Sequence, residues 1–274
     1  MATEFSIYED KQVFFKHALD ESTEGLFFEF HTHEICELIL LKSGGVSAII
    51  GERTYKLKKN DLIIFRPGVP HRLRFDNNSA YERYNILFNE KKMANQIYST
   101  FPDELDLVSF SGNNYVISLF EKLDYYCEKF DGQNLKILVR NLIEEIVFNI
   151  SLCPTESFEG RIVSAPPIVS SAVEYINEHY TEPITVDDIA RSLCITKSHL
   201  HHLFVDSMQI SPKKYVNMKR LSKARSLIRM GERPSAVYLS CGFNDYATFF
   251  RNYTRTFGSL PSEKNYTARP DIMS

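Results

Sequence analysis

Short apolar runs fill the first third of the chain. Between about Gly25 and Leu87, Leu38–Leu41, Val46–Ile50, Tyr55–Leu57, Leu62–Phe65 and Arg72–Phe75 alternate with turn-forming stretches. The breaks fall at Ser43-Gly44-Gly45, Gly51-Glu52 and Lys59-Asn60-Asp61. Strands this short and frequent predict a small barrel or sandwich. From Asn113 the period changes. Val116, Leu119, Phe120 and Leu123 follow helical spacing, and a second run follows Asp131-Gly132. In it, Leu135, Leu138, Leu142 and Ile146 recur at three- and four-residue steps. Such a stripe suits a partner helix in a homodimer, or packing against the barrel of the same chain. Pro154–Pro167, with Thr155, Ser157, Gly160 and Ser164, reads as a linker. Beyond it the pattern is helical, punctuated by Pro183, Pro212, Pro234 and Pro261.

The helical half contains a repeat. Val186–Pro212 and Val237–Pro261 each read as a short apolar helix, a turn, a polar N-cap (Thr196 or Asn244) and a second helix. Aligning Leu200 with Phe249 puts Phe204 on Tyr253, Gln209 on Gly258 and Pro212 on Pro261, a 49-residue step. At the front of the unit the step is one shorter, with Ile189 on Val237. Two helix-turn-helix units in tandem predict two insertions into a DNA major groove.

In the first unit, Val186, Ile189, Ala190 and Leu193 form a buried face behind the cap Thr185, with Asp187 and Asp188 in the first turn. Thr196 starts the second helix, whose inner stripe is Leu200, Leu203 and Phe204. Lys197, Ser198, His199, His201 and His202 are left facing outward near its N-terminus, where recognition helices meet base edges. In the second unit Phe249 and Tyr253 point inward. Asn244, Asp245, Tyr246, Thr248, Arg251 and Arg255 remain for solvent or DNA. Pro212–Met230 reads as one spacer helix with Lys219 and Arg220 among its outward basic residues. Its 19 residues span roughly 28 Å, close to the ~34 Å between major-groove faces one turn apart. The rival reading is an all-α interaction domain with a solvated basic helix.

Charge agrees once it is divided. The 274 residues carry a net −3. Pro166–Ser274 holds 14 Lys+Arg against 10 Asp+Glu, net +4, and the remainder holds 18 against 25, net −7. The modest basic half implies few phosphate contacts, so groove fit and dimerisation must contribute to affinity. The five cysteines are scattered and form no CxxC pair, which fits reduced thiols. No apolar run approaches ~20 residues, and Met1–Asp10 lacks a signal pattern, so a cytoplasmic protein is expected with no membrane partner.

Several strings together resemble the DNA-binding domain of the AraC/XylS family of bacterial transcription regulators. They are Ile189-Ala190, Leu200 to Phe204, Arg220-Leu221 with Ala224, Cys241-Gly242-Phe243-Asn244-Asp245, Phe249, Arg251, Phe257-Gly258 and Pro261-Ser262-Glu263. The resemblance covers residues 168–266. It implies base reading by the first unit and backbone holding by the second. The chain departs from the family with His202 for Arg, Val205 for a basic residue, Gln209 for Gly and Tyr238 for Ala.

The front half resembles a cupin barrel, the usual sensor joined to such a reader. Gly25, His31, His33, Glu37 and Gly44 keep the spacing of the first cupin motif. Gly68 and His71 keep part of the second, with Asn60, Arg66 and Phe75 where Gly, Pro and Asn are usual. His31, His33 and Glu37 share parity along a strand and so face one side. These three, with Arg66 and His71, are the expected effector contacts, walled by Phe28, Phe30 and Ile64. His31, His33, Glu37 and His71 are also legitimate ligands for iron, manganese, zinc or nickel.

The expectation is an α+β chain: a cupin-like sensor barrel (1–110), a helical dimerisation segment (111–153), a linker (154–167) and a seven-helix double helix-turn-helix domain (168–274). It would bind double-stranded DNA, sense a sugar or other polar metabolite, form a homodimer, and contact RNA polymerase if an activator. No cofactor and no catalysis are expected. The alternative is a metal-dependent cupin enzyme fused to a DNA-binding anchor.

Overall fold

The structure, a computed structural model, describes residues 2–26, 28–89, 105–154, 158 and 160–263. Thr155 and Ser157 of the expected linker, residues 90–104 of the barrel domain and residues 264–274 lie outside the described residues.

Among the described residues nine antiparallel strands precede the first helix: β1 (Ala2–Glu9), β2 (Val13–Asp20), β3 (Cys36–Ser43), β4 (Val46–Ile50), β5 (Arg53–Lys56), β6 (Asp61–Phe65), β7 (His71–Phe75), β8 (Tyr81–Phe88) and β9 (Leu107–Ser109). One sheet runs β1-β2-β8-β3-β6-β9, and the other contains β5-β4-β7. The five expected strands form, β4 with the expected limits. Strands β1, β2, β8 and β9 were not foreseen.

Strand β3 shows how the layers arise. Its side chains alternate. Leu38 and Leu40 join an outer core, whereas Ile39 and Leu41 point into the barrel. The outer core is covered by α1 (Asn114–Lys129) and α2 (Gly132–Ser151). Leu142 and Ile146, expected at a dimer seam, are buried against the sheet of their own chain. The same-chain packing therefore holds for these two. Leu135 and Leu138 remain half-buried, beside exposed Ile137.

The expected linker is not a free tether. Ile162–Ser164 forms β10, which pairs antiparallel with β5 in the register Ile162↔Tyr55 to Ser164↔Arg53. Arg161 pairs with the buried Asp61, and Ala165 N donates to Glu52 O at 2.9 Å. The barrel thus holds the chain up to the first residue of the reader.

Of the seven helices expected, six fall among the described residues: α3 (Pro167–His179), α4 (Val186–Ser192), α5 (Lys197–Met208), α6 (Pro212–Arg229), α7 (Pro234–Ser240) and α8 (Tyr246–Phe257). Helix α6 supports both units. Tyr215, Val216 and Met218 pack with α3, α4 and α5; Leu221, Ala224 and Ile228 pack with α7 and α8.

Candidate functional site

The two helix-turn-helix units are built alike. Thr185 caps α4 through a reciprocal capping box with Asp188. The turn passes through Cys194 at φ 56° in the first unit and Gly242 at φ 86° in the second, 48 residues apart. Gly242 is needed twice over. A Cβ there would stand 2.9 Å from Tyr180 O, Thr181 O and Arg220 Nε. Thr196 Oγ1 accepts from His199 N at 3.2 Å to start α5. In the second unit the cap is not Asn244. Asp245 Oδ1 accepts from Thr248 N at 2.7 Å, and this bond, first among its causes, holds the carboxyl below the ordinary carboxylate range. Asn244 is therefore the extra residue that lengthens the repeat step from 48 to 49. Both recognition helices end left-handed, Gln209 at φ 58° and Gly258 at φ 65°.

This geometry sorts the expected DNA contacts. Lys197, Ser198, His199, His201 and His202 are exposed on the first turns of α5, while Leu200 and Phe204 are fully buried beneath them. Lys197 Nζ lies 2.7 Å from Asp187 Oδ2, an exposed pair that a phosphate can displace. Arg251 and Arg255 are exposed four residues apart on α8. Asn244 and Tyr246 are exposed beside them, and Thr248 is half-buried. Thr196 and Asp245 serve as caps.

Two expected contacts have structural duties instead. Arg220 Nε donates to Tyr180 O at 2.6 Å and Nη2 to Glu182 O at 2.7 Å, closing the end of α3. Lys219 Nζ sits 5.5 Å from the centroid of the Tyr180 ring, and burial lowers its pKa. Their partners lie some 40 positions upstream, so nothing local in the sequence marks the difference.

In the barrel, His31, His33, Glu37 and His71 come together, with one ligand atom from each lying within 4.8 Å of all the others. Strand parity is not the reason. Strand β3 begins only at Cys36, and residues 31–35 form a loop held to β7 by a single bridge, His31↔His71. His33 is buried with Nε2 2.9 Å from Glu37 Oε2. His71 Nε2 is 3.4 Å from the same oxygen, and Phe65 stacks on its ring at 4.2 Å. Asn85 Nδ2 donates to the other carboxylate oxygen at 2.9 Å. Burial pushes His31 down to about 3, helped by the neighbouring His71 and His33, and burial lowers His71 as well. Burial alone would raise Glu37, but the bonds from His33 and His71 override it and hold the carboxyl well below its ordinary value.

Arg66 is not part of this group. It follows the last residue of β6, Phe65, and its guanidinium turns away from the histidines. Its Nη2 donates to Leu105 O at 3.1 Å and its Nε is 3.6 Å from Asp106 Oδ1. Asp106 also accepts from Tyr55 Oη at 2.6 Å. Ile64 packs in the outer core, and Phe30 packs with the reader, so neither walls a barrel pocket. Sequence reasoning missed this last contact. The loop bearing His31 and His33 also bears Glu29 and Glu34, which meet Lys214 and Ser222 of α6, and Phe30, which joins the core cluster of the reader.

Residues 18–101 match the model of an AraC-like ligand-binding domain, and residues 189–265 match that of a helix-turn-helix domain. The chain belongs to the AraC family of transcription regulators. It is similar to the lactose operon transcription activator of Staphylococcus xylosus, 25% identical across 82% of this chain and 81% of that protein. It is also similar to the arabinose operon regulatory protein of Salmonella typhimurium, 24% identical across 82% and 81%. Among solved structures, ToxT from Vibrio cholerae covers 95% of both chains at 14% identity with a TM-score of 0.40. This AraC-family chain thus couples a ligand-binding domain to a helix-turn-helix reader. Among the described residues no helix is long and apolar enough to cross a membrane.

Proposed function

We propose that this chain is a cytoplasmic, sequence-specific regulator of transcription that reads two successive major-groove faces of double-stranded DNA under control of its barrel. One observation carries the reading. Two capped helix-turn-helix units share a single 18-residue spacer, α6, about 27 Å long at 1.5 Å per residue. Their outward N-terminal turns carry Lys197, Ser198, His199, His201 and His202 on one unit, and Arg251 and Arg255 on the other. The first set reads bases and the second holds phosphates. The barrel senses a small polar molecule through His31, His33, Glu37 and His71; the relatives' lactose and arabinose operons favour sugar metabolism as the setting. A homodimer, joined through the exposed faces of α1 and α2, supplies the second half-site, and RNA polymerase is the further partner if the chain activates.

A gel shift of the full chain on its own upstream DNA, titrated with salt and competed with unrelated DNA, tests this. Specific binding whose log affinity falls linearly with log salt is expected. Equal affinity for both DNAs, or none, would overturn it.

A further inference from the structure

We propose that His199, His201 and His202 make the first recognition helix a proton-dependent DNA reader, whose operator affinity rises as pH falls through the range in which imidazoles titrate. This rests on the regulator reading above and names the species, the proton, that acts on the reading surface itself.

The chain has eight histidines. Five are engaged through ring nitrogens within the protein. His17 meets Asp124 and Glu82, His31, His33 and His71 meet backbone carbonyls, and His179 meets Glu182. The other three, His199, His201 and His202, are all exposed. Among the described residues their rings make no hydrogen bond or ion pair. Their one ring contact is mutual, His201 and His202 meeting edge to face at 6.1 Å between centroids. These imidazoles are thus left for an outside partner.

Their placement says which partner. At about 100° per residue, the three fall within roughly 160° of the α5 surface. His202 lies near the middle of that arc, and the fully buried Leu200 lies opposite. All three follow closely on the Thr196 cap, in the part of a recognition helix that meets base edges.

Charge then decides when they can act. Val186–Met208 holds Arg191 and Lys197 against Asp187, Asp188 and Asp206, a net −1 with the imidazoles neutral. Both cations are already engaged, Lys197 by Asp187 and Arg191 by Asp188. The neighbouring elements add little that could replace them. Helix α3 and the turn after it bring Glu174, Glu178 and Glu182, the last two paired with His179. Helix α6 brings Lys213 and Lys214 at its start, and Lys214 is held by Glu29. By contrast the spacer α6 carries a fixed net +7, and Pro234–Phe257 carries Arg251 and Arg255 against Asp245, a fixed net +1.

The base-reading unit therefore meets a polyanion with a net negative charge unless it takes up protons. Three protons turn its −1 into +2. Protonation also changes the hydrogen bonding. A neutral imidazole donates from one nitrogen, whereas an imidazolium donates from both, to guanine O6 or N7 or to a phosphate oxygen. The field of the DNA favours the charged form, so binding takes up protons. Affinity then rises as pH falls, and levels off once the unbound protein is itself protonated.

The test measures binding of the full chain to its own upstream DNA by fluorescence anisotropy, at fixed ionic strength, from about pH 8 to about pH 6. Unrelated DNA serves as competitor. Affinity should rise at least about tenfold, the worth of one charge-assisted contact. The slope of log affinity against log salt should steepen by about 0.9 for each imidazole charged. The triple variant His199→Gln, His201→Gln and His202→Gln should lose the pH response, with its fold checked by circular dichroism. His202→Arg should bind more tightly than wild type at about pH 8 and respond less to pH, and it decides the matter if the triple variant binds too weakly to measure. Specific wild-type binding that is flat in pH, or a response undiminished in these variants, overturns the proposal and leaves the regulator reading standing. No specific binding at any pH overturns both.

Discussion

Replacing Arg220 with Met separates a DNA contact from a structural bolt. The guanidinium makes two charge-assisted bonds to backbone, to Tyr180 O at 2.6 Å and Glu182 O at 2.7 Å. Bonds of this kind contribute about 1.5–3 kcal/mol each when buried. Arg220 is only half-buried, so water partly satisfies the carbonyls of the variant. We expect a loss of about 2–4 kcal/mol in reader stability, read from urea unfolding by circular dichroism. Met keeps the length and apolar stem, so the loss reports the bonds. The second assay is the salt dependence of operator affinity. Removing a phosphate contact lowers the slope of log affinity against log salt by about 0.9. For Arg220→Met, measured where the variant is folded, the slope should not change. A slope reduced by about one with stability intact would refute the structural assignment and return Arg220 to the DNA surface.

Arg251→Ala should do the opposite, reducing the salt slope by about 0.9 with stability unchanged within ~0.5 kcal/mol; an unaltered slope removes it from the interface. Gln209→Gly relieves a left-handed residue at φ 58° and should raise stability by about 0.5–1 kcal/mol, less whatever the Gln209 Nε2 bond to Asp206 O provides. A lower urea midpoint would show that this bond outweighs the backbone term. Asp10 joins the β1–β2 turn to α2: it accepts from Gln12 N, Val13 N and Arg140 Nη2, and these bonds overcome its burial and depress its pKa. A depressed carboxyl stabilises above its unfolded value of about 3.9 and loses that contribution as pH falls through its folded value. The stability gap between wild type and Asp10→Asn should therefore be full at pH 7 and shrink below about pH 4, and a gap independent of pH would contradict the linkage.

How far these features were legible depends on where the partner sits in the chain. Caps and inner stripes were legible because their partners lie three or four residues away, as with Thr196 and His199 or Leu200 and Phe204. The dimer stripe was ambiguous for a physical reason: Leu142 and Ile146 announce a partner without naming it. The missing clue was in β3, where Cys36 to Leu41 is buried at every position. A strand apolar on both faces needs a second layer outside the barrel, and α2 is that layer. Strand β10 was hidden because Ile162–Ser164 is exposed even when paired, so its sequence carries no burial signal.

The histidine–glutamate group of the barrel shows the limit most sharply. The spacing of His31, His33 and Glu37 foretold convergence, but by strand parity, whereas the histidines lie on a loop and meet Glu37 by way of the His31↔His71 bridge. Arg66 failed for a related reason. It lies just past the end of β6, and there it turns toward Asp106 and Leu105 rather than into the barrel. The drift of the repeat step from 49 to 48 is the counter-example. It looked like noise in an alignment, yet it marks one inserted residue, Asn244, which moves the N-cap to Asp245. The two recognition helices thus begin from different chemistry, a neutral threonine and an ionised aspartate. A carboxylate at the start of α8 repels phosphate where Thr196 at the start of α5 does not, so under the proposed reading phosphate holding in the second unit falls to Arg251 and Arg255 rather than to the cap.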